Sequence, residues 1–344
     1  MGKKVTMKQL AQQLGISINA VSLALNDKEG VSSKTQAAVL ELASKTGYLE
    51  QTEKYNKVFS SKNICVLIRK IYYQDMHFYS RIIYGMEREA SKQGYNIIIH
   101  FTDEEAAIPD CVKSHKVAGV ILVGPMEEQW LEELESYQIP IVIVDSTAYN
   151  IEADCVLTDN RDGTFKAVSL LIKSGYRKIG FFGDLDYSLS IKGRYLGYVE
   201  AFVGITAEKT MQAAFQETMR YSVLKNVEEC VLSHNTEGIK NRLASIEKMP
   251  EVFICSNDKT AIMVMNALRE MGYRVPEDIG IFGFDDMEIG TMVVPALSTL
   301  HIRKKNMGIK AVQTLQWRLN NRKAKPEKIM LSVELVIRDS VCLK

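Results

Sequence analysis

From residue 64 to residue 284, short apolar runs alternate with amphipathic helical stretches, and this alternation limits the available folds more than any other feature of the chain. Ile64 to Ile68, Asn96 to Phe101, Ala118 to Val123 and Ile139 to Val144 lack the every-second-residue polarity of a half-exposed strand. They read as strands buried on both faces, which is the habit of parallel sheets. Helical patterns such as Tyr79 to Gln93 and Glu127 to Tyr137 separate them. A second series follows, with Lys178 to Phe182, Thr210 to Phe215, Val252 to Cys255 and Ile279 to Phe284 as strands and Asp162 to Lys173 as a helix. The order implies an α/β protein with two doubly wound parallel sheets in tandem. Between Glu217 and Ser233 strand and helix patterns overlap, and that stretch stays unassigned.

The first 48 residues follow a different pattern. Thr6 with Gln9 makes a capping-box signal, Met7, Leu10, Ala11 and Leu14 recur at helical spacing, and Gly15 stops them. Ser17 opens a second helix with Val21, Ala24 and Leu25 inward, broken at Asn26-Asp27. Ser33 with Gln36 caps a third, with Val39, Leu42 and Ala43 inward and Gly47 at its end. Helices joined only by Gly15, Ile16 and Ser17 must cross steeply, so residues 1–48 form a three-helix headpiece with a helix-turn-helix. Residues 49–62 are polar, with only Tyr55, Val58 and Phe59 to bury, and read as a linker.

At 344 residues the chain has room for two or three domains. Its net charge is only +1, yet residues 1–60 carry eight lysines against five acids, so the basic excess sits on the headpiece. The six cysteines, at 65, 111, 155, 230, 255 and 342, lie singly in apolar surroundings and read as small buried hydrophobes in a reducing compartment, with no metal expected. No apolar run is long enough to span a bilayer and the amino terminus has no secretory pattern, so the expected location is cytoplasmic. Phosphate-binding, dinucleotide-binding, zinc-protease and nucleophile-elbow motifs are missing, which argues against an enzyme and leaves no cofactor to expect.

A helix-turn-helix places its second helix in the major groove, with N-terminal side chains reaching base edges. Ile18, Asn19, Ser22 and Leu23 fall on that outer face. Asn19 has the amide that bridges N6 and N7 of adenine, while Ile18 and Leu23 can only touch thymine methyls, so a preference for A·T steps is expected. No arginine precedes Arg69. Phosphate contacts therefore fall to hydroxyls, lysines and amides, with Thr6, Ser17, Asn26, Ser32, Lys34 and Thr35 as the candidates.

The segment from Val5 to Asn26, continuing through Val31-Ser-Ser-Lys-Thr35 and ending at Lys45-Thr-Gly-Tyr48, resembles the headpiece of the lactose/galactose repressor family. Asp159-Asn160, Gly193-Arg194-Tyr-Leu-Gly-Tyr198, Ser256-Asn-Asp258, Arg274-Val-Pro-Glu-Asp278 and Gly283-Phe-Asp-Asp286 follow in that family's order and spacing. The resemblance implies a homodimer whose paired headpieces read a palindromic DNA operator. It implies linkers that fold into minor-groove hinge helices, and a core similar to periplasmic sugar-binding proteins. That core would have two lobes joined by three crossovers and an effector in the cleft: an N-lobe of about 63–159 and 291–322, and a C-lobe of about 160–290 and 323–344. Where relatives carry a leucine-bearing hinge, this chain has Lys54-Tyr-Asn-Lys57, leaving Tyr55 or Val58 as the wedge.

Ligands of open α/β sheets bind beyond the carboxyl ends of the strands, where Arg69, Asp145 and Asp285 fall. The resemblance places Arg194, Asn257, Asp285 and Asp145 on effector contacts, a set suited to sugar hydroxyls. Local roles compete with this: Asp285 and Asn257 can cap the segments after them. Arg69 either favours an acidic effector or pairs with Asp145 or Asp285. Phe78, with Tyr72, Tyr73, His77 and Tyr79, either stacks on a sugar face or starts the buried side of a helix. The reading is a dimeric repressor controlled by a small sugar or sugar derivative. A regulator gated by a partner protein, a pure solute-binding protein and an enzyme with a DNA-binding accessory are its rivals.

Overall fold

The computed structural model describes residues 5–25, 30–48, 62–70, 72, 76–103, 107–148, 150–206 and 208–343. Asn26, Asp27, Tyr55, Val58, Phe59, Tyr73 and the side chain of His77 lie outside the described residues. Hydroxyl side chains start the N-terminal helices. Before α1 (Met7–Leu14), Gln9 Oε1 accepts from the Thr6 backbone N–H at 2.8 Å and from its hydroxyl at 3.2 Å. Gly15 ends α1 at φ +64°, a left-handed turn that a Cβ would strain. Ser17 Oγ then accepts from the Ala20 N–H at 3.0 Å, opening α2 (Ile18–Leu25). The cap of α3 (Ser33–Lys45) is Ser32 and not Ser33, because Ser32 holds the extended backbone a cap needs and its Oγ accepts from the Thr35 N–H at 3.1 Å. The three helices close on Leu10, Val21, Leu25, Val39 and Ala43 as expected. Leu40 is fully buried there, while Leu42 packs at the edge.

The chain divides into two units, Met1–Leu157 with Lys304–Ile329, and Thr158–Arg303 with Met330–Lys344. In the first, β1 (Asn63–Arg69), β2 (Asn96–Thr102), β3 (Gly119–Val123), β4 (Ile141–Val144), β5 (Asp154–Thr158) and β10 (Lys328–Leu331) form a sheet of order β10-β5-β4-β3-β1-β2, with pairings parallel from β2 through β5. The helices α4 (Met76–Lys92), α5 (Asp110–Lys113), α6 (Glu128–Ser136) and α13 (Lys304–Asn320) belong to this unit, and α13 packs against α4.

In the second unit β6 (Ile179–Phe182), β7 (Val252–Cys255) and β8 (Gly280–Phe282) pair in parallel, in that order. Single bridges from Val223 to Phe182 and from Ser298 to Phe282 extend this sheet at both edges. β9 (Thr299–His301) and β11 (Glu334–Val336) make an antiparallel pair. The helices are α7 (Asn160–Lys173), α8 (Leu189–Val203), α9 (Met211–Met219), α10 (Glu228–Leu232), α11 (Thr236–Ala244) and α12 (Asp258–Glu270). Among the described residues no helix is long and apolar enough to cross a membrane.

Two expectations are corrected. Thr210 to Phe215 is not a strand: Thr210 Oγ1 accepts from the Ala213 N–H at 3.2 Å and starts α9, and Met, Gln and Ala sustain the helix. The boundaries of the units also move. Residues 291–303 belong to the second unit because Ser298 bridges Phe282 and β9 pairs with β11. Residues 323–329 belong to the first because Arg318 grips Asp154, at 2.7 and 2.8 Å, together with the carbonyls of Ala324 and Lys325, and the Glu327 N–H reaches Asp154 Oδ1 at 2.8 Å.

Within the second unit α8 crosses α7 so closely that a Cβ on Gly197 would lie 2.0 Å from the Arg161 carbonyl oxygen. Backbone cannot swing aside as a side chain can, so Gly197→Ala must separate the helices. The expected cost is about 2 kcal/mol, read as a lowered midpoint in thermal denaturation; an unchanged midpoint would mean that the crossing is looser than described.

Candidate functional site

On the headpiece, the first turn of α2 presents Ile18 and Asn19 to solvent, with Ile18 49 % exposed, while Val21, Ala24 and Leu25 on the opposite side are buried. Ser22 is half-buried, and Leu23 leans on Gly30, whose Cβ position lies 3.2 Å from Leu23 Cδ1. Ile18 and Asn19 are therefore the most projecting of the four expected base-reading side chains. The hydroxyls of Thr6, Ser17, Ser32 and Thr35 all serve helix starts, since Ser32 Oγ also lies 2.8 Å from Thr35 Oγ1. They fix the entry of each helix, with Lys34 exposed in the first turn of α3.

In the second unit the carboxyl ends of the strands converge on Arg194. This residue is on α8, 5 % exposed, and three of its five N–H donors have partners. Nε donates to Asn160 Oδ1 at 2.8 Å, Nη1 to the Ser256 carbonyl and Nη2 to Asp285 Oδ1 at 3.2 Å. The guanidinium carbon lies 3.7 Å from the centroid of the Phe284 ring, a cation–π contact. Asp285 is buried at φ +109° and Asp286 follows at φ +49°, both in a region that L-residues rarely adopt. The buried Asp258 holds that turn: its Oδ2 accepts from the Met287 N–H at 2.6 Å and its Oδ1 from the Thr299 hydroxyl at 2.6 Å. Asn257 caps α12, its Oδ1 accepting from the Thr260 N–H at 2.9 Å, so its local role is realised. Asp286 turns to Arg338 at 2.6 Å and His301 Nδ1 at 2.8 Å.

In the first unit Arg69 ends β1, Gly124 follows β3 and Asp145 follows β4 at φ +59°. Arg69 Nη1 meets Glu127 Oε1 at 3.3 Å, a partner the sequence reading did not name. Tyr79 donates its hydroxyl to Asp145 Oδ2 at 3.4 Å and stands 5.4 Å, ring to ring, from Tyr72, which covers Gly124. Phe78 is buried edge-on against Tyr79, with the buried Lys304 ammonium 5.5 Å from its ring. It thus occupies the inner side of its helix, and Tyr72 is the half-buried aromatic of the pair.

Sequence reasoning missed Glu228, which lies in the stretch left unassigned. Its carboxylate is 3 % exposed and accepts from the Ser256 hydroxyl and the Asp184 N–H, each at 2.7 Å, directly behind the carbonyl that holds Arg194. No periodic signal marks it, because it caps nothing and sits on a five-residue helix. Burial pushes its carboxyl up to about 7, against the hydrogen bonds from Ser256 and Asp184. Asp258 was assigned no role in holding the turn because its partners, Met287 and Thr299, lie 29 and 41 residues further along the chain. Among the described residues no group of three or more His, Cys, Asp or Glu side chains is placed to hold a metal.

A carboxyl whose folded value is raised binds its proton more tightly folded than unfolded. The stability it confers is complete below 4.5 and is lost as pH rises through about 7. Glu228→Gln should therefore remove about 3 kcal/mol of pH-dependent stability across that window, measured as the wild-type minus variant unfolding free energy at several pH values. Parallel profiles would place Glu228 in water.

The periplasmic binding protein-like domain profile matches residues 168–341. The transcriptional repressor PurR of Mannheimia succiniciproducens is 28 % identical over 350 residues, covering 98 % of each chain. The regulator CelR in its cellobiose complex has TM-score 0.65 and 19 % identity, covering 98 % of this chain and 99 % of its own. The lac repressor dimer bound to operator and an anti-inducer has TM-score 0.65 and 21 % identity, with the same coverage. With a helix-turn-helix headpiece ahead of a periplasmic-binding-protein-like domain, this chain belongs to the lactose/galactose repressor family.

Proposed function

We propose that the protein is a cytoplasmic, homodimeric transcriptional repressor, not an enzyme, that binds a palindromic DNA operator through α2 and responds to a small sugar-like effector. The observation that carries this reading is the pairing of an exposed Ile18–Asn19 face on α2 with the buried Arg194–Asp285 cluster at the strand ends of the second unit. The first is a major-groove reader with an adenine-directed amide. The second is a buried charged fork, with its ring stack, of the kind that holds vicinal hydroxyls.

The chemistry supports an uncharged, hydroxyl-rich effector. Arg194 is balanced by Asp285 and Arg69 by Glu127, so a ligand need bring no charge of its own. Two N–H donors of Arg194 and the carboxylate of Asp285 supply donors and an acceptor for hydroxyls. Asp145, Asn257 and Arg69 are proposed as further effector contacts, with Phe78 behind them as the edge-on support of Tyr79. Effector control requires that the ligand favour one arrangement of the core over another.

Two variants test the reading on duplexes selected from a random pool by the full chain. Asn19→Ala should lower discrimination at one A·T step by about tenfold or more while non-specific affinity holds; unchanged discrimination in gel-shift competition would displace the reading face from α2. Arg194→Ala should keep operator binding near normal and abolish the effector's influence on it. Operator binding by the variant that still changes with the effector as the wild type's does would remove Arg194 from the effector site.

A further inference from the structure

The first unit brings two thiols together. Cys65 lies in β1 and is fully buried; Cys111 lies on α5 and is partly exposed; their sulfurs are 4.0 Å apart, with the Cys111 S–H directed at Cys65. Other cysteines are placed differently: Cys155 and Cys230 donate to the backbone carbonyls of Ala153 and Asn226, Cys255 is buried, and Cys342 is exposed. Disulfide sulfurs sit about 2 Å apart, so the pair needs only a small approach, on a helix of four residues.

We propose that Cys65 and Cys111 form a reversible disulfide under two-electron oxidants of the peroxide class, a redox-sensitive modification site independent of the effector reading. Exposure decides the order of events. Cys111 is the sulfur an oxidant reaches, whereas burial, with Cys111 beside it, pushes the Cys65 thiol up and keeps it protonated. The Cys111 sulfur attacks the peroxide O–O bond, forming Cys111–SOH and releasing one water. The Cys65 sulfur then displaces that hydroxyl, which leaves as water with the Cys65 thiol proton. Two thiols and one hydrogen peroxide give one disulfide and two waters, and the chain loses two hydrogen atoms. Because side chains two apart on a strand share a face, Cys65 and Arg69 lie on the same side of β1. The bond ties α5 to the strand whose end carries a proposed effector contact.

The sequence makes the test direct. Trypsin cuts after Lys62 and Arg69 and after Lys92 and Lys113, so Cys65 and Cys111 each fall alone in one peptide, 63–69 and 93–113. Full-length protein treated with hydrogen peroxide and digested without reductant should yield these two peptides joined, two hydrogens lighter than their sum. The species should disappear with dithiothreitol, and should be absent from C111S but present in C342S. Free thiols at both positions, Cys111 recovered as sulfinic acid beside a free Cys65, or links only through other cysteines would each overturn the proposal.

Discussion

Arg194 has to stay charged where little water reaches it, and much of the second unit is arranged around that requirement. Truncating one partner of a buried ion pair leaves the other charge uncompensated, at a cost of about 3–5 kcal/mol. The groups that satisfy the guanidinium arrive from separate elements: Asn160 at the start of α7, the Ser256 carbonyl after β7, and Asp285 and the Phe284 ring after β8. Each arrival has its own support. Gly197 lets α8 approach α7, Glu228 holds Ser256, and Asp258 holds the turn after Asp285. The left-handed backbone at Asp285 and Asp286 is local strain that this over-determined setting tolerates.

Much of this was legible in the sequence because it is periodic or punctuated. The apolar runs located β1, β3, β4 and β6 to β8 to within a few residues, since strands buried on both faces leave an uninterrupted apolar signature; the run at β2 located a strand too, but one at the sheet edge that is only partly buried. The caps at Thr6 and Ser17 and the stop at Gly15 were readable because capping is a local hydrogen-bond rule. Short elements set by distant partners were not. β9 and β11 have three residues each and exist by pairing with one another, and the Val223 bridge depends on Phe182. Thr210 to Phe215 misled because a Thr cap followed by apolar residues looks the same before a strand and before a helix.

The candidate site divides in the same way. Residues at strand ends, namely Arg69, Asp145 and Asp285, could be picked by position, and Arg194 by resemblance. Their partners could not. Glu127 reaches Arg69 from the residue preceding α6, and Glu228 reaches Ser256 from the start of α10, contacts that no spacing along the chain announces. Phe78 shows the limit from the other side: an aromatic beside a strand end was a fair candidate for stacking, yet the helix places it inward and leaves Tyr72 half-buried.

The claim at the centre of this account is that Arg194, held by its buried partners, binds a hydroxyl-rich ligand. A thermal-shift screen of wild type and Arg194→Met against neutral sugars, sugar acids and sugar phosphates tests it most directly, since a ligand of the folded state raises the midpoint. The account predicts a neutral sugar that stabilises the wild type and leaves the variant unmoved. A shift of equal size in both proteins, or one confined to the phosphorylated compounds, would contradict it.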